Sequence, residues 1–111
     1  MVYNHAETFF LENYKKHTLA EMSRIYRKAD GTKVIFNYFN RISHQLNKYG
    51  QTDTSIFTAT DWERKAVDDG LDMIKNTNVK RYSEELGKEY GLSWDTIRKQ
   101  VNTMIRYGII K

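Results

Sequence analysis

The stretch YSEELGKEYGLSWDTIRKQVNTMIRYGIIK, from Tyr82 to Lys111, decides the fold of the C-terminal half of the chain. Its pattern predicts two short helices joined by a tight turn. The first helix is expected to begin after Ser83 as its N-cap and to place Leu86 and Tyr90 on one side. Gly87 lies in the middle of this helix, where Gly costs ~1 kcal/mol relative to Ala. A residue without a side chain is useful there if another helix crosses closely over it.

The second helix of this stretch is predicted to be amphipathic. Gly91 stands where the chain must turn with positive φ, Leu92 is expected to pack back into the core, and Ser93 is expected to cap the helix. At ~100° per residue, the predicted core face comprises Ile97, Val101, Met104 and Ile105. The opposite face carries Asp95, Arg98, Lys99, Asn102 and Arg106, with Trp94 on the border of the buried side. The helix therefore presents cations away from the core.

The stretch resembles the helix-turn-helix of bacterial winged-helix regulators of the GntR-like and MarR-like kind. The resemblance rests on Gly87, Gly91 and Leu92 and on the sequence pattern DTIRKQVNTMIRYGII. It extends over residues 60–110 if a helix over Thr60–Lys75 is the family's first helix and extended residues over Val79–Tyr82 are its first short strand. In that family a β-hairpin wing follows GII, whereas this sequence holds too few residues there to pair two strands. The resemblance therefore implies a three-helix, winged-helix-like arrangement that lacks the wing hairpin.

The resemblance also implies that the second helix reads the major groove of double-stranded DNA with its N-terminal residues. Arg98 suits a bidentate contact to guanine, and Asn102 suits adenine. Asp95 is suited to accept from cytosine N4, or to orient Arg98 or Lys99. The candidates for contacts to the DNA backbone are Ser93, Thr96, Lys99, Lys80, Arg81, Lys88 and Arg106.

Plainer interpretations of the same residues stay open. An outer helix face that carries Lys and Arg is often only solvated, and Trp94 suits packing better than base stacking. Three acidic residues of the preceding helix would repel phosphates, so we expect them to face away from DNA: Glu84, Glu85 and Glu89.

The N-terminal residues 1–50 are predicted to form a helical hairpin. Apolar residues recur at helical spacing from Asn4 to Ala29, and Asp30-Gly31 then supplies a stop signal. Thr32 is expected to cap a second helix that ends at Gly50. This hairpin carries more aromatic side chains than it can bury against itself, so we expect it to serve dimerisation or partner binding, or to pack on the rest of the chain.

Residues 51–59 are rich in Thr, Ser and Asp and are predicted to be a linker, within which Ile56-Phe57 are expected to dock or to pair briefly as a strand. Thr60 and Glu63 have the spacing of a capping box, which predicts a third helix to about Lys75. Residues 60–111 then form the helix-turn-helix region. The fold class expected is all-α or nearly so, in one compact domain.

Composition limits the classes of function. The 111 residues include no Cys and no Pro, so disulfides and thiolate sites are excluded and long helices are permitted. The net charge is +4, and its excess lies at both ends: residues 1–50 hold eight Lys or Arg against four Asp or Glu, and residues 78–111 hold seven against four. A polyanion should therefore meet the flanks of the chain. No apolar run is long enough for a bilayer span, so we expect a cytoplasmic protein without a membrane partner.

Signals of catalysis and of cofactor binding are missing from the sequence. His5, His17 and His44 have no metal-ligand spacing, the glycines are scattered singly, and no nucleophile–base constellation stands out. We therefore expect neither an enzyme nor a metal or cofactor site.

These observations lead to two hypotheses. The first is a small sequence-specific DNA-binding protein, a homodimeric regulator of transcription or replication of the kind found in phages and mobile elements. The second is an interaction protein that binds a host protein or nucleoprotein complex through residues 1–50, with the helix-turn-helix as scaffold.

Overall fold

A computed structural model describes residues 1–53 and 55–111, and the described residues form six α-helices and two isolated β-bridges. The helices are α1 (His5–Asn13), α2 (Leu19–Ile25), α3 (Phe36–Lys48), α4 (Asp61–Thr77), α5 (Val79–Tyr90) and α6 (Trp94–Arg106). The predicted all-α class is confirmed. The chain divides into two compact units: the N-terminal unit, Tyr3–Phe57, and the C-terminal unit, Thr58–Lys111 together with Met1–Val2.

The first half of the N-terminal unit contains two helices where the apolar spacing predicted one. In α1, Asn4 is the N-cap and forms a capping box with Glu7; in α2, Thr18 forms the same motif with Glu21. Each box satisfies backbone N–H groups that a first helical turn leaves without partners. The continuous helix predicted from Asn4 to Ala29 is therefore wrong, because Thr18 starts a new helix.

The start of α3 also differs from the prediction. Thr32 caps no helix, because residues 27–33 fold back on themselves instead. Arg27 and Lys33 form an antiparallel bridge, and the Lys28 N–H donates to the Thr32 carbonyl at 3.0 Å. Helix α3 begins four residues after Thr32, at Phe36. The N-terminal unit is therefore three helices and a tight turn rather than a two-helix hairpin.

The core of the N-terminal unit is aromatic. Both α1 and α2 pack on α3, and the buried apolar residues are Ala6, Phe10, Met22, Tyr26, Phe39, Leu46 and Tyr49. Part of the predicted linker joins this packing: Phe57 forms a bridge with Tyr49, and the two rings stack at 5.9 Å. The Thr52 hydroxyl donates to Asn47 Oδ1 at 2.7 Å. Residue 54 of that linker lies outside the described residues.

The C-terminal unit begins with α4. Thr60 is its N-cap, and the Thr60 N–H donates to Glu63 Oε1 at 3.2 Å, so the predicted capping box is confirmed. The helix is not continuous, because Gly70 has φ 83° and ψ 165°. At this kink the Leu71 N–H donates to the Lys111 carbonyl at 3.0 Å. The residues after α6 therefore return to α4.

Helix α5 begins earlier than predicted. Asn78, with φ 85°, is its N-cap, and the Asn78 side chain accepts from the Lys80 N–H at 2.9 Å. Ser83, expected as the cap, lies buried inside the helix, where its hydroxyl donates to the Val79 carbonyl at 2.7 Å. The extended residues predicted before Ser83 are helical instead.

Candidate nucleic-acid interface

The α5–α6 pair is joined by a turn that requires glycine twice. Gly91 ends α5 in the left-handed region, with φ 69° and ψ 33°. The Leu92 N–H donates back to the Gly87 carbonyl at 3.0 Å, which closes the turn. A Cβ at Gly87 would lie 2.6 Å from the Leu92 carbonyl oxygen and 3.4 Å from the Trp94 nitrogen. The predicted close approach at Gly87 is confirmed.

The buried face of α6 agrees largely with the prediction. Ile97, Val101 and Met104 are fully buried, whereas Ile105 is only half-buried. Two residues after the helix, not predicted as core, complete the packing: Tyr107 and Ile110.

The turn residues differ from their predicted roles. Leu92 is exposed and does not pack into the core. Ser93 occupies the N-cap position of α6, but its side chain makes no capping hydrogen bond. Because the Ser93 hydroxyl is exposed and is not used by the helix, it remains available to an external hydrogen-bond partner.

On the outer face of α6, Asp95 holds two cations. Arg98 Nη2 donates to Asp95 Oδ1 at 2.7 Å, and Lys99 Nζ lies 3.2 Å from Asp95 Oδ2. The Arg98 hydrogen bond first, and the Lys99 hydrogen bond second, hold the pKa of the Asp95 carboxyl below its usual value. The Arg98 side chain is 36% exposed and the Lys99 side chain 67% exposed. The arrangement fixes both cations on the solvent side of the helix.

Polar residues surround this ion-pair group. Thr96 and Asn102 are exposed on α6, as is Ser93 at its start. None of these side chains lies in the core that Ile97 and Val101 define. The structure therefore leaves most of the predicted contact residues of α6 accessible to solvent.

Trp94 connects α6 to α5. It is exposed, and Lys80 Nζ lies 5.5 Å and Arg98 Cζ 5.8 Å from its ring centroid. Cations at this distance are attracted to the negative face of an aromatic ring. Sequence reasoning placed Trp94 in packing and missed this role, although the i,i+4 spacing to Arg98 was visible. A base that stacked on the ring face carrying these cations would have to displace them.

The acidic residues of α5 divide between two sides. Glu84 lines a shallow cleft at the start of α6, beside Lys88 and Trp94. The expectation that every α5 carboxylate faces away from the candidate surface is therefore wrong for Glu84. Glu85 and Glu89 line a separate cleft around the Tyr82 ring.

Two of the predicted cations lie apart from this face. Arg81 pairs with Glu85, Nε to Oε1, at 3.4 Å. Arg106 Nη1 donates to the Val2 carbonyl at 3.3 Å, and the Arg106 carbonyl accepts from the Val2 N–H at 2.6 Å. The Arg106 guanidinium also lies 5.3 Å from the ring centroid of Tyr107. Arg106 therefore binds the N-terminal residues of its own unit rather than extending the cationic face.

Within residues 1–53 and 55–111, no helix is long and apolar enough to cross a membrane, and no three His, Asp or Glu side chains converge as a metal site. No protein-family model, curated protein or solved structure matches the chain.

Proposed function

We propose that α5 and α6 form a helix-turn-helix that binds double-stranded DNA, with α6 in the major groove. The proposal rests on the amphipathic character of α6. Ile97, Val101 and Met104 are fully buried, whereas Lys99 and Asn102 are exposed to solvent. An α-helix fits the major groove only if the side chains on one face are free of the protein. Helix α6 meets this condition.

The positions of the side chains suggest their roles. Arg98 donates to Asp95 in the free protein and would exchange that carboxylate for guanine O6 and N7 on binding. Asn102, one turn further along, is placed for adenine. Lys80 and Lys88 reach the same end of α6 from α5 and suit phosphate oxygens.

The proposal includes a dimer. A single α6 offers few base contacts, and phosphate contacts weaken steeply as salt increases. Two copies that bind half-sites about 34 Å apart double the number of contacts and match the repeat of the duplex. We therefore propose a regulator of transcription or replication that binds as a homodimer.

Selection of bound sequences from a random duplex library tests the proposal. We expect an enriched motif that is palindromic, with half-sites one helical turn apart. Enrichment of a single, unrepeated motif would retain DNA binding and refute the dimer. No enrichment at low ionic strength, where phosphate contacts are strongest, would refute DNA binding by this chain.

The N-terminal unit supports a second candidate function, binding of another protein. Four large apolar side chains among the described residues of this unit are exposed: Ile25, Ile35, Phe36 and Ile56. On this interpretation the α5–α6 pair is a scaffold. A complex that persists after nuclease treatment and that requires these residues would support it.

A further inference from the structure

Three of the exposed apolar residues of the N-terminal unit lie where α2 ends and α3 begins. Ile25, Ile35 and Phe36 are 52%, 67% and 48% exposed. The antiparallel Arg27–Lys33 bridge joins the chain after α2 to the chain before α3, so Ile25 and Ile35 each lie two residues from the bridged pair. Phe36 follows directly as the first residue of α3. We call these three residues the Ile35 surface.

Ile35 is the only apolar N-cap residue among the six described helices. Helices α1, α2 and α4 each begin with a capping box, and Asn78 caps α5, whereas α3 and α6 have no side-chain capping bond. The N-cap of α6 is still a favoured residue type, Ser93, but the N-cap of α3 is Ile35. Ile is among the poorest N-cap residues, and Ser, Thr, Asp and Asn are strongly preferred. Ile35 therefore neither caps the helix nor fills the core. Positions that break a local rule without a gain in folding are often functional sites.

The rim of the Ile35 surface is basic. Residues 24–36 hold four exposed cations and a single carboxylate, Asp30, which already accepts a hydrogen bond from the Thr32 N–H at 2.9 Å. Arg27 Nη1 donates to the Arg24 carbonyl at 2.6 Å, and Lys28 Nζ lies 5.5 Å from the Tyr38 ring centroid. These contacts hold two of the cations in place beside the apolar residues.

We propose that the Ile35 surface binds a short acidic segment of another protein that carries two or three apolar side chains. The apolar residues of the segment would cover Ile35, Ile25 and Phe36, and its carboxylates would pair with the basic rim. This proposal makes the second candidate function specific and does not depend on DNA binding by α6.

Size and charge favour such a segment over a second copy of this chain. Each of the three side chains exposes roughly 100 Å², or ~300 Å² together, which is within the range of the largest apolar patch on a monomer. A stable subunit interface needs about 800 Å² per partner. Two copies joined here would also bring two basic rims together, and such like-charge contacts oppose association.

The test uses the full chain and a displayed library of random 12-residue peptides. Enriched peptides are synthesised with a fluorescent label, and their affinities are measured by polarisation. We expect acidic peptides with at least two apolar residues. Ile35→Ser should weaken binding at least tenfold, while Ile56→Ser should change it less than twofold, because Ile56 is 79% exposed elsewhere in the same unit. Since Ser is a favoured N-cap, Ile35→Ser should also keep the fold, which circular dichroism checks.

Other outcomes overturn the proposal. They are a library that yields no enrichment, enrichment of basic or uncharged peptides, and peptide binding that Ile35→Ser leaves unchanged. Concentration-dependent dimers in sedimentation that Ile35→Ser abolishes would identify a second copy as the occupant. Vesicles of anionic phospholipid, or duplex DNA, bound with the same dependence on Ile35 would identify a different class of partner. Arg98→Ala with Lys99→Ala should leave peptide binding intact, which separates this site from α6.

Discussion

Replacing Gly87 with Ala should destabilise the C-terminal unit, although Gly→Ala inside a helix normally stabilises by roughly 1 kcal/mol. The added Cβ would lie 2.6 Å from the Leu92 carbonyl oxygen, and the neighbour is backbone rather than a flexible side chain. Overpacking of this kind costs about 1–3 kcal/mol, and a backbone neighbour places the cost toward the upper end. After the helix-propensity gain is subtracted, we expect a net loss of about 1–2 kcal/mol.

Thermal unfolding followed by circular dichroism measures this loss. For a unit of this size, each kcal/mol lowers Tm by about 4–8 °C, so the expected decrease is roughly 5–15 °C. Lys88→Ala, at the next position of α5 and exposed, is the matched control and should change the free energy of unfolding by less than about 0.5 kcal/mol. If Gly87→Ala left Tm unchanged or raised it, the close approach of Leu92 to α5 would be refuted.

Two further predictions concern single side chains of the C-terminal unit. Asp95→Asn leaves Arg98 and Lys99 without their carboxylate partner, so affinity for duplex DNA should rise and the slope of log K against log salt should steepen by about 1. Mobility shifts at several salt concentrations measure the affinity and its slope. An unchanged slope would show that Asp95 does not restrain the two cations. Tyr82→Phe removes the 2.6 Å hydrogen bond to Asp69 Oδ2 and should lower the free energy of unfolding in urea by about 1–2 kcal/mol at neutral pH. Burial of the ring, and then its hydrogen bond to Asp69, raises the pKa of Tyr82 above its usual 10.0. The stabilisation is therefore complete below pH 10 and is lost as the pH rises further, so the difference in free energy of unfolding between the wild type and Tyr82→Phe should shrink above pH 10. A difference that stays constant would contradict the raised pKa.

The residues that could be predicted from sequence are those whose roles are local. Gly87 and Gly91 were placed correctly because only glycine suits a close approach or a left-handed turn. The buried stripe of α6 followed from its 3.6-residue period. The capping box at Thr60 and Glu63 was equally local, and it marked the start of α4.

The predicted helix boundaries were wrong where one local sequence signal overrode another. Apolar spacing continued through Thr18, yet its capping box with Glu21 was visible in the sequence and decides the break. Ser83 is a good N-cap type, but Asn78 adopts the cap one turn earlier and makes Ser83 internal. The kink at Gly70 in the helix predicted from Thr60 to about Lys75 was missed, because spacing alone does not reveal a φ of 83°.

The candidate site was only partly predictable because some of its contacts join residues distant in sequence. Arg106 was assigned to the cationic face by its angle on α6, but its guanidinium binds the carbonyl of Val2, more than 100 positions away. Lys80 meets Trp94 only because α5 packs against α6. Helical angles place a side chain on a face and do not identify its partners.

The most direct measurement of the central claim compares two charge-matched variants on a selected duplex. One variant is Arg98→Ala with Lys99→Ala, and the other is Arg64→Ala with Lys75→Ala, which removes two exposed cations from α4. If the outer face of α6 enters the groove, the first should lose at least about tenfold in affinity, and the second should change only by the small effect of net charge. Equal losses in both variants, or no loss in the first, would contradict that role for α6.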